Sequence, residues 1–164
     1  DSLIRFLLTD LRQRLEPTGN LGAMDSVLER AVVHYREKLA AAGNSAGAAL
    51  QLADVLVVKG DVIGVRGLGK EADVLYTEAL ALTEAARDAM PLDIPRGLRV
   101  VAAFQDRSEH RMAINDFPAA LEDARKMLKE ARRAGGLTSD AASGRANARA
   151  HRAVGNALGY LDQL

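Results

Sequence analysis

At 164 residues with 48% apolar composition, the chain can bury one substantial core, which excludes an intrinsically disordered segment. Aromatics make up 4% and tryptophan is absent, so helices packed through small side chains are favoured over a β-sandwich, and the expected class is all-α. A formal net charge of zero argues against a nucleic-acid binder held by a global positive field; the lack of cysteine excludes disulfides and thiolate metal sites.

Leu3, Ile4, Leu7, Leu8, Leu11 and Leu15 recur at helical steps and draw one apolar stripe, ended by Pro17 and Gly19-Asn20. Met24, Val27, Leu28, Ala31, Val32, Tyr35 and Leu39 mark a second helix running to Ala42 and closed by Gly43-Asn44. Ser45 caps a third, with Ala49, Leu52, Ala53 and Leu56 on one face, expected to stop at Gly60-Asp61 before a glycine-rich loop. A fourth begins near Lys70 and carries Ala72, Leu75, Tyr76, Ala79, Leu80 and Leu82 until Pro91 and Pro95 break the chain. The fifth covers about Gly97 to Ile114, and Asp116 caps a sixth, with Pro118 in its first turn, reaching Gly135-Gly136. Leu137 to Gly144 reads as a loop or a ragged helix start. In the final alanine-rich stretch from Ser143, nothing is left to cover Val154, Leu158 and Leu161. Either a parent protein continues beyond Leu164, or another copy buries this face. The opening at Asp1 likewise leads us to expect a fragment of a larger protein. No apolar run reaches the ~18 residues that span a bilayer, so no membrane contact is expected of this segment, and cysteine-free composition is compatible with a reducing cytoplasmic location.

Charge is unevenly placed. Residues 61 to 93 hold seven acids against three bases, whereas residues 94 to 152 hold twelve bases against seven acids. Solvated helix faces account for most such patterns; the sharper reading is a basic groove for an acidic peptide.

Gly64-Val-Arg-Gly-Leu-Gly-Lys70, behind the apolar Val55 to Val58, nearly spells a phosphate-binding loop. Such a loop needs Ser or Thr after its lysine to hold Mg²⁺, and Glu71 stands there instead, where it would repel phosphate. His34, His110 and His151 lie 76 and 41 residues apart, without paired spacing on any helix, so no metal site is expected. Asp106, Arg107, Glu109 and His110 suit an exposed polar face better than an acid/base pair. No nucleophile stands in a strand-turn-helix glycine setting, and neither a catalytic residue nor a cofactor is expected.

Ala31 to Tyr35, Ala72 to Tyr76 and Ala120 to Ala124 share one spacing, and Gly60-Asp61 and Asn115-Asp116-Phe117 share a corner of turn residue plus capping acid. From about residue 21 onward this resembles a tetratricopeptide-type helical repeat. The first-helix pattern is reduced to Ala49, Leu52-Ala53, Leu56, then Phe104, Arg107-Ser108, Arg111, then His151, Val154-Gly155, Leu158. The alanines at 31, 72 and 120 lie 41 and 48 residues apart, against a standard period of about 34. The longer units resemble the long-helix variants of bacterial signalling proteins, and the run Phe6 to Arg12 with Met24 to Ala31 is similar to junctions in bacterial multidomain proteins.

This resemblance implies a right-handed helical-hairpin solenoid of about seven helices, filling residues 1 to 164 as a single domain. It implies a non-catalytic interaction module whose groove holds a peptide segment or a neighbouring domain. By family register the groove is lined by Leu50, Asp54 and Val57 from one unit and by Gln105, Glu109 and Met112 from the next. On the last helix, Arg149, Arg152 and Asn156 share a face, and Arg152 with Asn156 resembles the pair with which some members hold a peptide carboxylate. The alternatives are a self-associating scaffold, joined as a homo-oligomer through the uncapped last helix, and a nucleotide switch on Gly64 to Lys70.

Overall fold

The structure, a computed structural model, describes residues 21–138 and 140–162, with side chains from Met24 onward. The elements in that range are all helices: α1 (Leu21–Ala41), α2 (Ala46–Val65), α3 (Gly69–Asp88), α4 (Ile94–Ala113), α5 (Phe117–Leu137) and α6 (Ala141–Leu161). The all-α class stands, with six helices among the described residues in place of about seven. The helix expected on Leu3 to Leu15 lies outside the described residues. The chain forms two compact units, one ending at Leu82 and the other running Thr83–Leu164, so the boundary falls inside α3.

In the first unit, α2 is apolar nearly all round, as a helix covered on two sides must be. Leu52, Ala53, Val55 and Leu56 close a core with Val32 and Tyr35 of α1 and Ala79 of α3. Farther along, Val62 meets Met24 and Leu28 of α1, while Ile63 meets Ala72 and Tyr76 of α3. Polar contacts along the α1–α2 seam run in opposite order on the two helices: Asp25 holds Arg66 at 2.5 Å, Glu29 holds Lys59, and Lys38 donates to Gln51 at 2.7 Å. The helices are therefore antiparallel. Gly43 (φ 59°) and Asn44 (φ 60°) reverse the chain between them, a left-handed step that glycine and asparagine make at least expense. The N–H of Asn44 bonds the carbonyl of Leu39 at 2.9 Å, and Ser45 caps α2 through the Ala48 N–H.

The Gly60-Asp61 pair is not a corner. α2 continues through it for another turn and ends at Val65. Gly60 is buried against Tyr76, and a Cβ placed there would lie 3.1 Å from the ring. Asp61 receives the Tyr76 hydroxyl at 2.5 Å. The glycine serves ring packing between α2 and α3, so the expected glycine-rich loop shrinks to a turn at Arg66 to Leu68, with Gly67 at φ 82°.

In the second unit, all three later helices start on an aspartate. Asp93 accepts from the Arg96 N–H at 3.0 Å, Asp116 from Ala119 at 3.3 Å and Asp140 from Ser143 at 2.7 Å. Pro95 and Pro118 occupy first turns, where a missing N–H leaves no bond unmade. α5 packs on both α4 and α6, and α6 also touches α4. Asn115 (φ 61°) and capping Asp116 form the α4–α5 corner as the sequence leads one to expect. Both α5 and α6 bury small residues, Ala120, Ala124 and Ala131 on the first and Ala146, Ala150 and Ala157 on the second. Asn147 donates to the Ala131 carbonyl at 3.3 Å, and Phe117 stacks on Tyr160 with centroids 5.1 Å apart, which fixes α5 and α6 as antiparallel. At its C-terminal end α3 is tied to α5 by Arg87, which pairs with Glu130 at 2.6 Å.

Two glycines in helices are expected to respond oppositely. Gly60→Val, which must displace the Tyr76 ring, should lose about 1–3 kcal/mol of stability through overpacking. Gly136 has open space around its Cβ direction, so Gly136→Ala should gain about 0.5–1 kcal/mol from lower unfolded-chain entropy and better helix propensity. Urea unfolding midpoints decide both.

Candidate functional site

The residues expected to line a groove fall in both units. Leu50, Asp54 and Val57 are half-buried along α2, and Val57 packs against the cores that hold Tyr35 and Tyr76. This gives Val57 a packing role within the first unit. In the second unit, Gln105 and Met112 are half-buried on α4 and Glu109 is exposed, its carboxylate accepting from the Gln105 amide at 2.8 Å. Arg149, Arg152 and Asn156 are all exposed on α6. Positions 149, 152 and 156 lie three and seven residues apart and share one helical face. That face is turned away from the buried side formed by Ala146, Ala150 and Ala157.

A cluster stands behind α4 that the sequence reading misplaced. Arg107 and His110, expected on an exposed polar face, are both buried, at 8% exposure each, while Glu109 alone of that run is exposed. The reason is Asp123 on α5. Its carboxylate, 0% exposed, accepts two bonds from the Arg107 guanidinium, at 2.7 and 2.9 Å, and a third from Arg111 at 2.9 Å. A bidentate arginine is the arrangement best able to offset removal of a carboxylate from water. Next to it Ser108 donates to the Ala120 carbonyl at 3.0 Å, so a second polar side chain is satisfied at the same interface. The sequence carries one signal of this. Arg107 and Arg111 share the helical face of Val100, Phe104 and Ser108, and Asp123 lies beside Ala120, Ala124 and Met127, so opposite charges occupy core-facing positions on successive helices.

Two exposed carboxyls and one guanidinium titrate away from their ordinary values. The Ser143 N–H holds the Asp140 carboxyl below the usual range, and the Lys126 ammonium does the same for Glu122. Burial alone would lower Arg87, but its bonds to Glu130 and Asp88 hold it above its usual value.

At the Gly64 to Lys70 segment, Val55 to Val58 form part of a helix, Gly64 and Val65 complete that helix, and Gly69 opens the next. A phosphate-binding loop joins a strand to a helix N-terminus; here a three-residue turn joins two helices, with Arg66 engaged by Asp25. Among the described residues no group of three or more His, Asp and Glu is placed to hold a metal ion, and no helix is long and apolar enough to cross a membrane. The chain matches no protein-family model, no curated protein and no solved structure.

Asp123→Ala should leave two guanidinium groups facing a low-polarity interface and destabilise the protein by about 3–5 kcal/mol, read from urea unfolding. For Asp140 the sign follows from its depressed folded value: its contribution is complete above the unfolded-state value of about 3.9 and is lost as pH falls through the folded one. The difference in unfolding midpoint between the natural chain and Asp140→Ala should therefore be constant near neutrality and shrink below about pH 4.

Proposed function

We propose that the chain is a non-catalytic interaction module of the tetratricopeptide-like kind, in which antiparallel α-hairpins stack as a right-handed solenoid and present a groove to a polypeptide segment. The observation that carries this reading is α6. Its arginines and Asn156 stand exposed on one face, while the opposite face is fixed by buried alanines and by Asn147 bonded to α5. Polar groups that project from a rigid helix lose little order on binding, which favours recognition. Arg152 with Asn156 suits a carboxylate, since a guanidinium pairs with one through two parallel bonds. The setting implied is a regulatory region of a bacterial signalling protein in the cytoplasm.

A self-associating scaffold is the second reading, favoured by apolar exposure towards the end of α6: Leu158 is 39% and Tyr160 51% exposed. Sedimentation equilibrium separates the two, since Tyr160→Ser should dissociate a dimer formed through this surface.

With a photoreactive phenylalanine analogue at Met112 or Asn156, the interaction module should crosslink a polypeptide partner in cell extract, and with the analogue at Val74, exposed but outside the groove register, it should not. Equal labelling at all three positions, or none at any, would sink the reading.

A further inference from the structure

The exposed bases of this chain are not all alike. Several bases are matched to acids, among them Arg36 to Glu78 at 2.8 Å, Arg66 to Asp25 at 2.5 Å, Lys59 to Glu29, Arg96 to Asp93 at 3.4 Å and Lys126 to Glu122 at 2.5 Å, whereas Arg30 and Lys70 stand exposed and singly, without an ion pair among the described residues. On the α5–α6 hairpin unpaired bases are gathered rather than single, although Lys126 and Arg133 are paired there. Arg125, Lys129, Arg132, Arg149 and Arg152 are exposed and hold no ion pair or side-chain hydrogen bond among the described residues. Arg145 is exposed too, close enough to Asp140 to feel its charge.

Their placement is regular. On α5 the three cations fall at i, i+4 and i+7, which puts them in one row. On α6, Arg145, Arg149 and Arg152 repeat the same spacing. The antiparallel register, with Ala131 level with Asn147 and Phe117 level with Tyr160, brings the rows into step. Within about one residue, or ~1.5 Å, Arg132 stands level with Arg145, Lys129 with Arg149 and Arg125 with Arg152. The hairpin therefore carries two basic rows, one on each helix, level with one another over roughly 10 Å of its length.

We infer that this hairpin is a docking surface for an acidic polypeptide segment, whose carboxylates supply the counter-charges that these gathered bases lack among the described residues. The inference rests on the interaction-module reading and adds the chemistry of the partner. A helix with acids at i, i+4 and i+7 matches either row in spacing. Arginine, the commoner base here, favours carboxylates through bidentate bonding and carries weaker hydration than lysine. A nucleic acid fits less well, because the chain has no net positive charge to gather a phosphate backbone over distance and Glu122 stands exposed beside Arg125 and Lys126.

The test uses the whole chain and a fluorescein-labelled helical peptide with glutamates at i, i+4 and i+7, followed by anisotropy at about 0.15 M salt. Saturable binding is expected, weakened roughly tenfold or more by Arg125→Glu with Lys129→Glu and Arg132→Glu, or by Arg149→Glu with Arg152→Glu. Lys70→Glu with Arg30→Glu, exposed bases outside the hairpin, should leave affinity unchanged, and circular dichroism confirms that each variant is folded. Absence of saturable binding, equal weakening by the Lys70/Arg30 variant, or displacement of the peptide by duplex DNA of equal charge would each overturn the inference. A chain that crosslinks a partner at Met112 and Asn156 but ignores the acidic peptide loses this inference and keeps the interaction-module reading.

Discussion

Helices can lie against each other closely only where both present small side chains, and in this protein alanine fills that role at nearly every seam. Ala72 and Ala79 on α3, Ala120, Ala124, Ala131 and Ala134 on α5, and Ala146, Ala150 and Ala157 on α6 are all buried to 2% exposure or less, apart from Ala146 at 7%. Each removes little apolar area by itself, so stability depends on many neighbouring atoms being in contact at once. Larger residues fill the spaces that alanine leaves: Tyr35 and Tyr76 in the first unit, Phe104 and Met127 in the second. A seam of this kind has a weakness. Alanine faces look alike one turn along, so apolar packing alone discriminates poorly between a correct register and one shifted by a turn.

Asp123 removes that ambiguity for α4 and α5. Displacement of one helix by a turn would take its carboxylate away from Arg107 and leave charges of both signs in a poorly hydrated seam. Ser108, bonded to the Ala120 carbonyl, imposes the same register a few residues away. On the other side of α5, Asn147 reaches the Ala131 carbonyl and sits 2.9 Å from the Cβ direction of Gly135, a position that only glycine fills without moving it. Polar groups thus choose the alignment, and alanine makes the approach possible. In the first unit, the Tyr76 hydroxyl on Asp61 and the ring against Gly60 do for α2 and α3 what Asp123 does for α4 and α5.

Helix positions were legible wherever a cap or a left-handed turn punctuated the chain, because those signals are local. Ser45, Asp116 with Pro118 and Gly43-Asn44 each act within a few residues of themselves, and the helices begin or end where they say. Gly60-Asp61 carried the same local signal and misled, since the ring that explains Gly60 sits sixteen residues away, at Tyr76. Arg107 reads as solvated in isolation for a related reason: the carboxylate that lets it be buried belongs to the next helix. Of the candidate site, the exposed face of α6 could be read from periodicity alone, but which bases lack a partner could not. That depends on where every acid of the neighbouring helices ends up.

The distribution of charge follows from the division of labour between seam and surface. Acids on α5 are drawn inward or sideways: Asp123 to the α4 arginines, Glu130 to Arg87 and Arg133, Glu122 to Lys126. On α6, Asp140 is committed to the helix start. The carboxylates of the hairpin are thus already engaged, and its remaining exposed bases have no ion pair among the described residues. Surface arginines in that state lose little solvation when a carboxylate arrives from outside and gain a directional bond. What fixes the α4–α5–α6 register from within therefore also determines which charges are left for another molecule.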